Sequence, residues 1–229
     1  MVEKQETVKV YSIFASLNGE VNLFGQGSLC VFIRFSGCNF NTKDRPPCSY
    51  CDTEYALSPN SGEEMTVDEI LWKVKTFGIN KVTITGGEPL MQYEGFAALT
   101  KALFRKGYKI VVETNGSYPC GGFGVDCWVV DYKLSSSGCM EQMVWQAFEK
   151  LREVDFVKFV IADRRDYEDA RGVRVWLKES LGLNCQIAFS PVHGKLDPNI
   201  LIEWLMEDKI SDVILNFQLH KLLNLKEEK

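Results

Sequence analysis

Short, almost unbroken apolar runs alternate with amphipathic stretches along this chain, and that alternation restricts its fold more than any other feature. Strands are read over 8–16, 29–35, 81–85, 108–113, 127–132, 156–162, 186–190 and 212–216. They are β-branched or aromatic runs bounded by turn-forming residues. Helices are read over 66–76, 93–106, 141–152, 167–181 and 199–207. The first opens on Thr-Val-Asp-Glu, a capping box in which Glu69 follows the capping Thr66. The second stops at Gly107. Strands that are apolar at nearly every position must be covered on both faces, as in a parallel sheet carrying helices. Right-handed crossovers wind such a sheet into a partial, open (β/α) barrel, here of about six parallel strands. The 229 residues suit one domain, with no internal repeat, an irregular segment at 36–64 and a charged tail at 226–229. Trp72, Trp145, Phe148 and Trp176 fall at helical spacing and read as core.

In sheets of this kind ligands bind beyond the C-terminal strand ends. The chemically unusual residues fall there: Cys38, then Gly86-Gly87-Glu88, Glu113-Thr114-Asn115, Asp131-Tyr132-Lys133 and Ser190-Pro191. Several independent strand ends aimed at one face mark a site more strongly than any one motif. Charge narrows what that site takes. Lys and Arg total 26 against 31 Asp and Glu, a net of −5. This argues against a phosphate-binding surface, and so against nucleic acid. A small anion needs only one or two placed cations. No apolar run is long enough for a transmembrane span, and the opening Met-Val-Glu-Lys-Gln-Glu-Thr lacks an apolar signal core. No membrane partner is expected, and a reducing cytoplasm is the expected compartment.

The chain carries eight cysteines and two histidines. In a reducing compartment thiols stay free for metal chemistry instead of pairing. Cys38, Cys48 and Cys51 share one loop with spacing C-x9-C-x2-C. Three thiolates are one short of the four that close a structural zinc site or a simple electron-transfer cluster. Cys30 could be a fourth, but it lies inside a strand. Alternatively three is the intended number, since a 4Fe–4S cluster on three thiolates leaves one iron open. Cys30, Cys120, Cys127, Cys139 and Cys185 lack ligand spacing, although Cys120 and Cys127 flank a Gly-rich turn and admit a second cluster.

Gly-Cys-Asn and Cys-x-Tyr-Cys-Asp-Thr, with Thr-Gly-Gly-Glu-Pro-Leu at 85–90, resemble the radical S-adenosylmethionine (SAM) superfamily. Ser-Leu-Asn-Gly-Glu near the N-terminus, Val-Phe-Ile-Arg-Phe-Ser-Gly-Cys, Asp-Tyr-Lys-Leu-Ser-Ser-Ser-Gly and Gln-Leu-His-Lys bring the resemblance closer to its 7-carboxy-7-deazaguanine synthase family. It runs from about residue 8 to 222. Departures are six extra residues in the cysteine loop, Asn18 where Gln is usual and Val21 where Gly is usual.

The resemblance implies a 4Fe–4S cluster on Cys38, Cys48 and Cys51, with SAM on the open iron. Tyr50 would lie near the adenine, and Gly86 and Gly87 would let backbone approach the methionine moiety. Glu88 would accept from its amino group or brace the loop. Asp131, Tyr132, Lys133, Ser190, Pro191, Val192 and His193 would line the rest of the SAM pocket. The implied reaction converts 6-carboxy-5,6,7,8-tetrahydropterin to 7-carboxy-7-deazaguanine. It takes the hydrogen at carbon 6, contracts the ring and releases ammonia, in queuosine-type 7-deazapurine synthesis. Arg34 and Glu20 would be catalytic, with the Arg34 fork on the substrate carboxylate. Leu17, Asn18, Gly19 and Thr85 would touch the pterin, and Thr53 would bind Mg2+. A homodimer and an electron donor such as flavodoxin are implied as well. Read without the family, His193 and His220 are structural or peripheral. A glycyl-radical-enzyme activating protein and a zinc-binding interaction module are the alternatives.

Overall fold

Side chains two apart on a strand share a face, and that period divides this sheet into a stabilising side and a chemical side. A computed structural model describes residues 6–44 and 46–225. The strands are β1 (Thr7–Leu17), β2 (Leu29–Phe35), β3 (Glu63–Thr66), β4 (Lys81–Gly86), β5 (Lys109–Thr114), β6 (Cys127–Tyr132), β7 (Phe156–Ile161), β8 (Gln186–Pro191) and β9 (Ile214–Leu215). They form one sheet in the order β3-β1-β2-β4-β5-β6-β7-β8-β9. The strands from β2 through β4 to β9 are mutually parallel. β1 runs antiparallel to both its neighbours. Six parallel strands plus the two-residue β9 make the open, barrel-like sheet that the alternation predicts.

The helices are α1 (Val67–Thr76), α2 (Tyr93–Arg105), α3 (Arg164–Glu179), α4 (Pro198–Glu207) and α5 (Leu219–Leu222). α1 opens on the capping box: Glu69 N–H donates to Thr66 Oγ1 at 3.3 Å, and Thr66 N–H donates to Glu69 Oε2 at 2.8 Å. One sheet face carries Ile33, Ile84, Val112, Val130, Phe159 and Phe189 into a core shared with Ile70, Leu99, Leu103, Ala170, Leu177 and Leu201 of the helices. Each such side chain contributes about 1.5–3 kcal/mol by leaving water. Intervening positions face the other way. Toward the strand starts they are apolar, with Val111, Cys127, Val129, Phe156 and Ala188 plugged by Val21 from the loop after β1. Toward the strand ends they turn polar, as Arg34, Thr85, Glu113, Asp131 and Lys158, and line a cavity.

Four expectations are corrected. The segment 141–152 forms two short 3-10 turns, Met140–Gln142 and Trp145–Ala147. Val144 between them donates its N–H to Gly116 O at 3.2 Å, so a tertiary bond overrides helix propensity there. Phe148 is core, but Trp72, Trp145 and Trp176 are exposed. The irregular segment hides β3, an edge strand with two outward glutamates and so no apolar run to betray it. Cys120 and Cys127 lie in separate apolar clusters. Their thiols donate to Tyr118 O and Val154 O, which removes the second cluster. Among the described residues no helix is long and apolar enough to cross a membrane. The tail at 226–229 lies outside them.

Candidate active site

The first of the three loop cysteines is clamped by backbone on both sides. Gly37 and Cys38 donate their N–H groups to Ala56 O and Leu57 O at 2.8 and 3.0 Å. On the other side Glu88 N–H donates to Gly37 O at 2.8 Å and Gly87 N–H to Phe35 O at 3.0 Å. This is why Gly86 and Gly87 must be glycine. A Cβ on Gly86 would lie 2.2 Å from Phe35 O, and one on Gly87 would lie 2.0 Å from Gly37 O. The close approach visible here is thus to the backbone that carries Cys38. The other two cysteines sit on a turn closed by Cys51 N–H to Cys48 O at 3.0 Å. It hangs from the loop after β6, with Ser49 N–H on Ser137 O and Ser49 Oγ donating to Ser136 O. All three thiols pack in one cluster with Phe40, Leu57 and Cys139 and face the same cavity. Burial pushes the Cys38 thiol up to about 11.

That cavity holds about 540 Å3. Its wall includes Leu17, Gly19, Glu20, Arg34, Tyr50, Thr53, Thr85, Gly86, Gly87, Asp131, Lys133, Val192 and His193 from the expected set. Asn18, Glu88, Tyr132, Ser190 and Pro191 are not on it. Tyr132 and Pro191 follow inward-facing residues by one, so the strand period turns them away; the Tyr132 ring packs on Phe148 and Phe159. The Ser190 hydroxyl accepts from Asn216 Nδ2 at 3.1 Å. Asn18 Nδ2 donates down to Thr83 Oγ1 at 3.3 Å. Glu88 is fully buried and braces the loop: its carboxylate accepts from Leu90 N–H, Thr114 Oγ1 and Asn115 N–H at 3.0, 2.8 and 2.7 Å.

Arg34 is 8% exposed, with its guanidinium 5.8 Å from the Phe14 ring centre and 5.7 Å from that of Tyr55. Among the described residues no carboxylate is in ion-pair contact with it. Three lysines on the wall are paired, whereas the exposed Lys195 is in no ion pair among the described residues. Lys133 Nζ contacts Asp131 Oδ2 at 2.7 Å, Lys158 Nζ contacts Asp131 Oδ1 at 3.0 Å and also Glu20 Oε2, and Lys221 Nζ contacts Asp52 Oδ2 at 2.9 Å. Burial alone would raise the Asp131 carboxyl, but Lys133 and Lys158 hold it below its usual value. The Tyr50 hydroxyl is buried with no hydrogen-bond partner among the described residues. The Thr53 hydroxyl makes no capping bond to the 3-10 turn it precedes, and lies 3.8 Å from Cys51 Sγ.

Several wall residues escape sequence reasoning. Lys158 carries the only audible signal, a charge inside an apolar strand. Gln218, His220 and Lys221 arrive from a distant segment, so His220 is a wall residue, not a peripheral one. Burial and the neighbouring Glu20 push the Glu113 carboxyl from 4.5 up to about 7, against Lys158, Thr85 and Arg34. The folded protein therefore holds this proton more tightly than the unfolded chain. The stability it contributes is complete below about pH 4.5 and is lost as pH rises to about 7. Glu113→Gln should flatten that loss, seen as a smaller fall in the denaturant midpoint of the cluster-free protein across this window. Equal falls in both proteins would refute the assignment.

A family model of the radical SAM superfamily matches residues 32–119, from β2 to just past β5. A curated 7-carboxy-7-deazaguanine synthase from Clostridium acetobutylicum is 35% identical over 221 residues, covering 94% of this chain and 95% of its own length. One from Leptospira interrogans is 36% identical over 231 residues, covering 93% and 94%. The crystal structure of QueE from Escherichia coli shares the fold, with a TM-score of 0.70 at 22% identity over 93% of this chain and 94% of that one.

Proposed function

Because this chain belongs to the 7-carboxy-7-deazaguanine synthase family of the radical SAM superfamily, we propose that its cavity takes 6-carboxy-5,6,7,8-tetrahydropterin and returns 7-carboxy-7-deazaguanine. The change is hydrogen abstraction at carbon 6, ring contraction and loss of ammonia. The observation that carries this reading is Arg34, a buried cation with no carboxylate in ion-pair contact among the described residues, facing the same cavity as three clustered thiols. The enzyme is a lyase of queuosine-type 7-deazapurine synthesis.

The residues fit the groups such a reaction needs. Three thiols face one cavity, while among the described residues no three His, Cys, Asp or Glu side chains gather closely enough to hold a single metal ion. Three thiols, one short of the four that close a structural zinc site, suit a 4Fe–4S cluster on Cys38, Cys48 and Cys51. The buried Tyr50 hydroxyl and the paired Asp131 and Lys133 supply a polar wall for SAM. When bound, the cluster supplies the electron that splits SAM into methionine and a 5′-deoxyadenosyl radical. The chain's own groups do the rest. Arg34 grips the substrate carboxylate and orients carbon 6. Leu17, Gly19 and Thr85 shape the pterin floor beside it. Glu20 is fixed by Lys158 on one oxygen and by Gln218 on the other, at 3.0 Å for the latter. Glu113, protonated up to about neutral pH, adds a hydrogen-bond donor to that wall. Thr53, whose hydroxyl makes no capping bond and only a long contact to Cys51 Sγ at 3.8 Å, is the Mg2+ ligand of the proposal. An external one-electron donor such as flavodoxin, a homodimer, a cytoplasmic setting and a single domain complete it.

Anaerobic incubation with the tetrahydropterin, SAM and a strong reductant, with no protein partner, should give the deazaguanine and ammonia. Added Mg2+ should raise the rate severalfold, and Thr53→Ala should lose that response. No product from a protein that cleaves SAM would favour the glycyl-radical-activating alternative. An equal Mg2+ response in the variant would remove Thr53 from the metal.

A further inference from the structure

Lys158 stands on β7 directly beside Asp131 of β6 and Ala188 of β8, in the middle of the parallel sheet. A lysine there needs a reason, because burying an ammonium is costly unless it is paired. Its pairing is unusual in reach. The ammonium contacts Asp131 Oδ1 at 3.0 Å and Glu20 Oε2 together. Each of those carboxylates spends its second oxygen elsewhere: Asp131 on Lys133 at 2.7 Å, and Glu20 on Gln218 at 3.0 Å. Glu113 faces the same ammonium. A structural ion pair would be satisfied by one partner. This one joins the strand end expected to meet SAM to the loop expected to meet the pterin, through a side chain rooted in a strand paired on both sides. Lysine suits the task, since its three donors diverge from one point.

We propose that Lys158 is a positioning residue that locks the SAM side of the cavity to the substrate side, so that the two ligands are held in one fixed relation. The proposal rests on the function proposed above. Without the ammonium, Asp131 and Glu20 face each other, and like charges repel. The Glu20 loop then moves independently of Asp131. SAM would still bind and be cleaved, but the pterin would no longer be aligned with it.

The test uses wild type, Lys158→Met and Lys158→Arg, reconstituted to equal iron content. One readout is the 5′-deoxyadenosine released per deazaguanine formed. The other is the electron paramagnetic resonance signal of the reduced, SAM-loaded cluster before and after the pterin is added. We expect Lys158→Met to raise the ratio at least about tenfold and to abolish a pterin-induced change in the signal, with Lys158→Arg restoring much of both. A ratio within about twofold of wild type overturns the proposal, even if the rate falls. So does a wild-type signal that ignores the pterin. A wild type that cleaves SAM but makes no deazaguanine overturns the function itself, and Lys158 with it.

Discussion

Arg34→Met should lower kcat/KM for the pterin by about 10²–10³, the cost of removing one partner from a buried charge contact. Its own fold should not suffer. The guanidinium sits over Phe14 and Tyr55 and has no carboxylate in ion-pair contact among the described residues, so an apolar chain of similar length breaks no ion pair there. SAM cleavage without substrate should persist, because the groups expected around SAM lie on other strand ends. Arg34→Lys should recover only part of the loss, since an ammonium cannot engage both oxygens of a carboxylate in parallel. Steady-state kinetics with both variants, alongside 5′-deoxyadenosine release, decide the matter. A Met variant within about threefold of wild type would remove Arg34 from the substrate.

Gly87→Ala should have the second large effect, on the cluster instead of the substrate. The added methyl would lie 2.0 Å from Gly37 O, 2.4 Å from Gly37 C and 3.0 Å from Cys38 N. All three are backbone atoms, so relief requires moving the strand end that carries Cys38. The helix-side core does not include this contact, so the cluster-free variant should fold. Reconstitution, however, should retain several-fold less iron, and SAM cleavage should fall at least about tenfold. Gly172→Ala is the control: on α3, with nothing within 4 Å of its added methyl, it should stabilise by up to about 1 kcal/mol. Wild-type iron content in Gly87→Ala would show that the strand end tolerates displacement.

Most of the architecture was legible because it follows from local periodicity. The apolar runs of β2 and β4 to β8 and the capping box of α1 announce themselves. β3 did not, because an edge strand pairing with β1 needs no apolar face. The site was legible where residue type is chemically rare: three cysteines in one loop, two glycines at a strand end. Asn18, Glu88, Ser190, Tyr132 and Pro191 fall in the right segments, but the strand period turns Tyr132 and Pro191 to the other face, and Asn18, Glu88 and Ser190 are engaged by hydrogen bonds off the wall. Lys158 was audible only as a charge between Val157 and Phe159, and its partners come from three other segments. Gln218 and His220 could not be placed at all, because no local pattern says where a distant segment will land.

That distant segment has a consequence for when the site exists. The loop that plugs the strand starts is fastened to residues far along the chain. Val21 N–H donates to Asn216 Oδ1 at 2.9 Å, across 195 positions, and Leu219 N–H donates to Gly19 O at 3.0 Å. At 5–20 residues per second, synthesis of that interval takes about 10–40 s. The cysteine loop, its Gly-Gly clamp and Arg34 are all made early in it. A nascent chain therefore carries all three loop thiols long before the floor of the cavity is tied down. The Cys48–Cys51 turn gains its anchors once Ser136 and Ser137 are made, whereas the loop beside the pterin waits for residues 216–219.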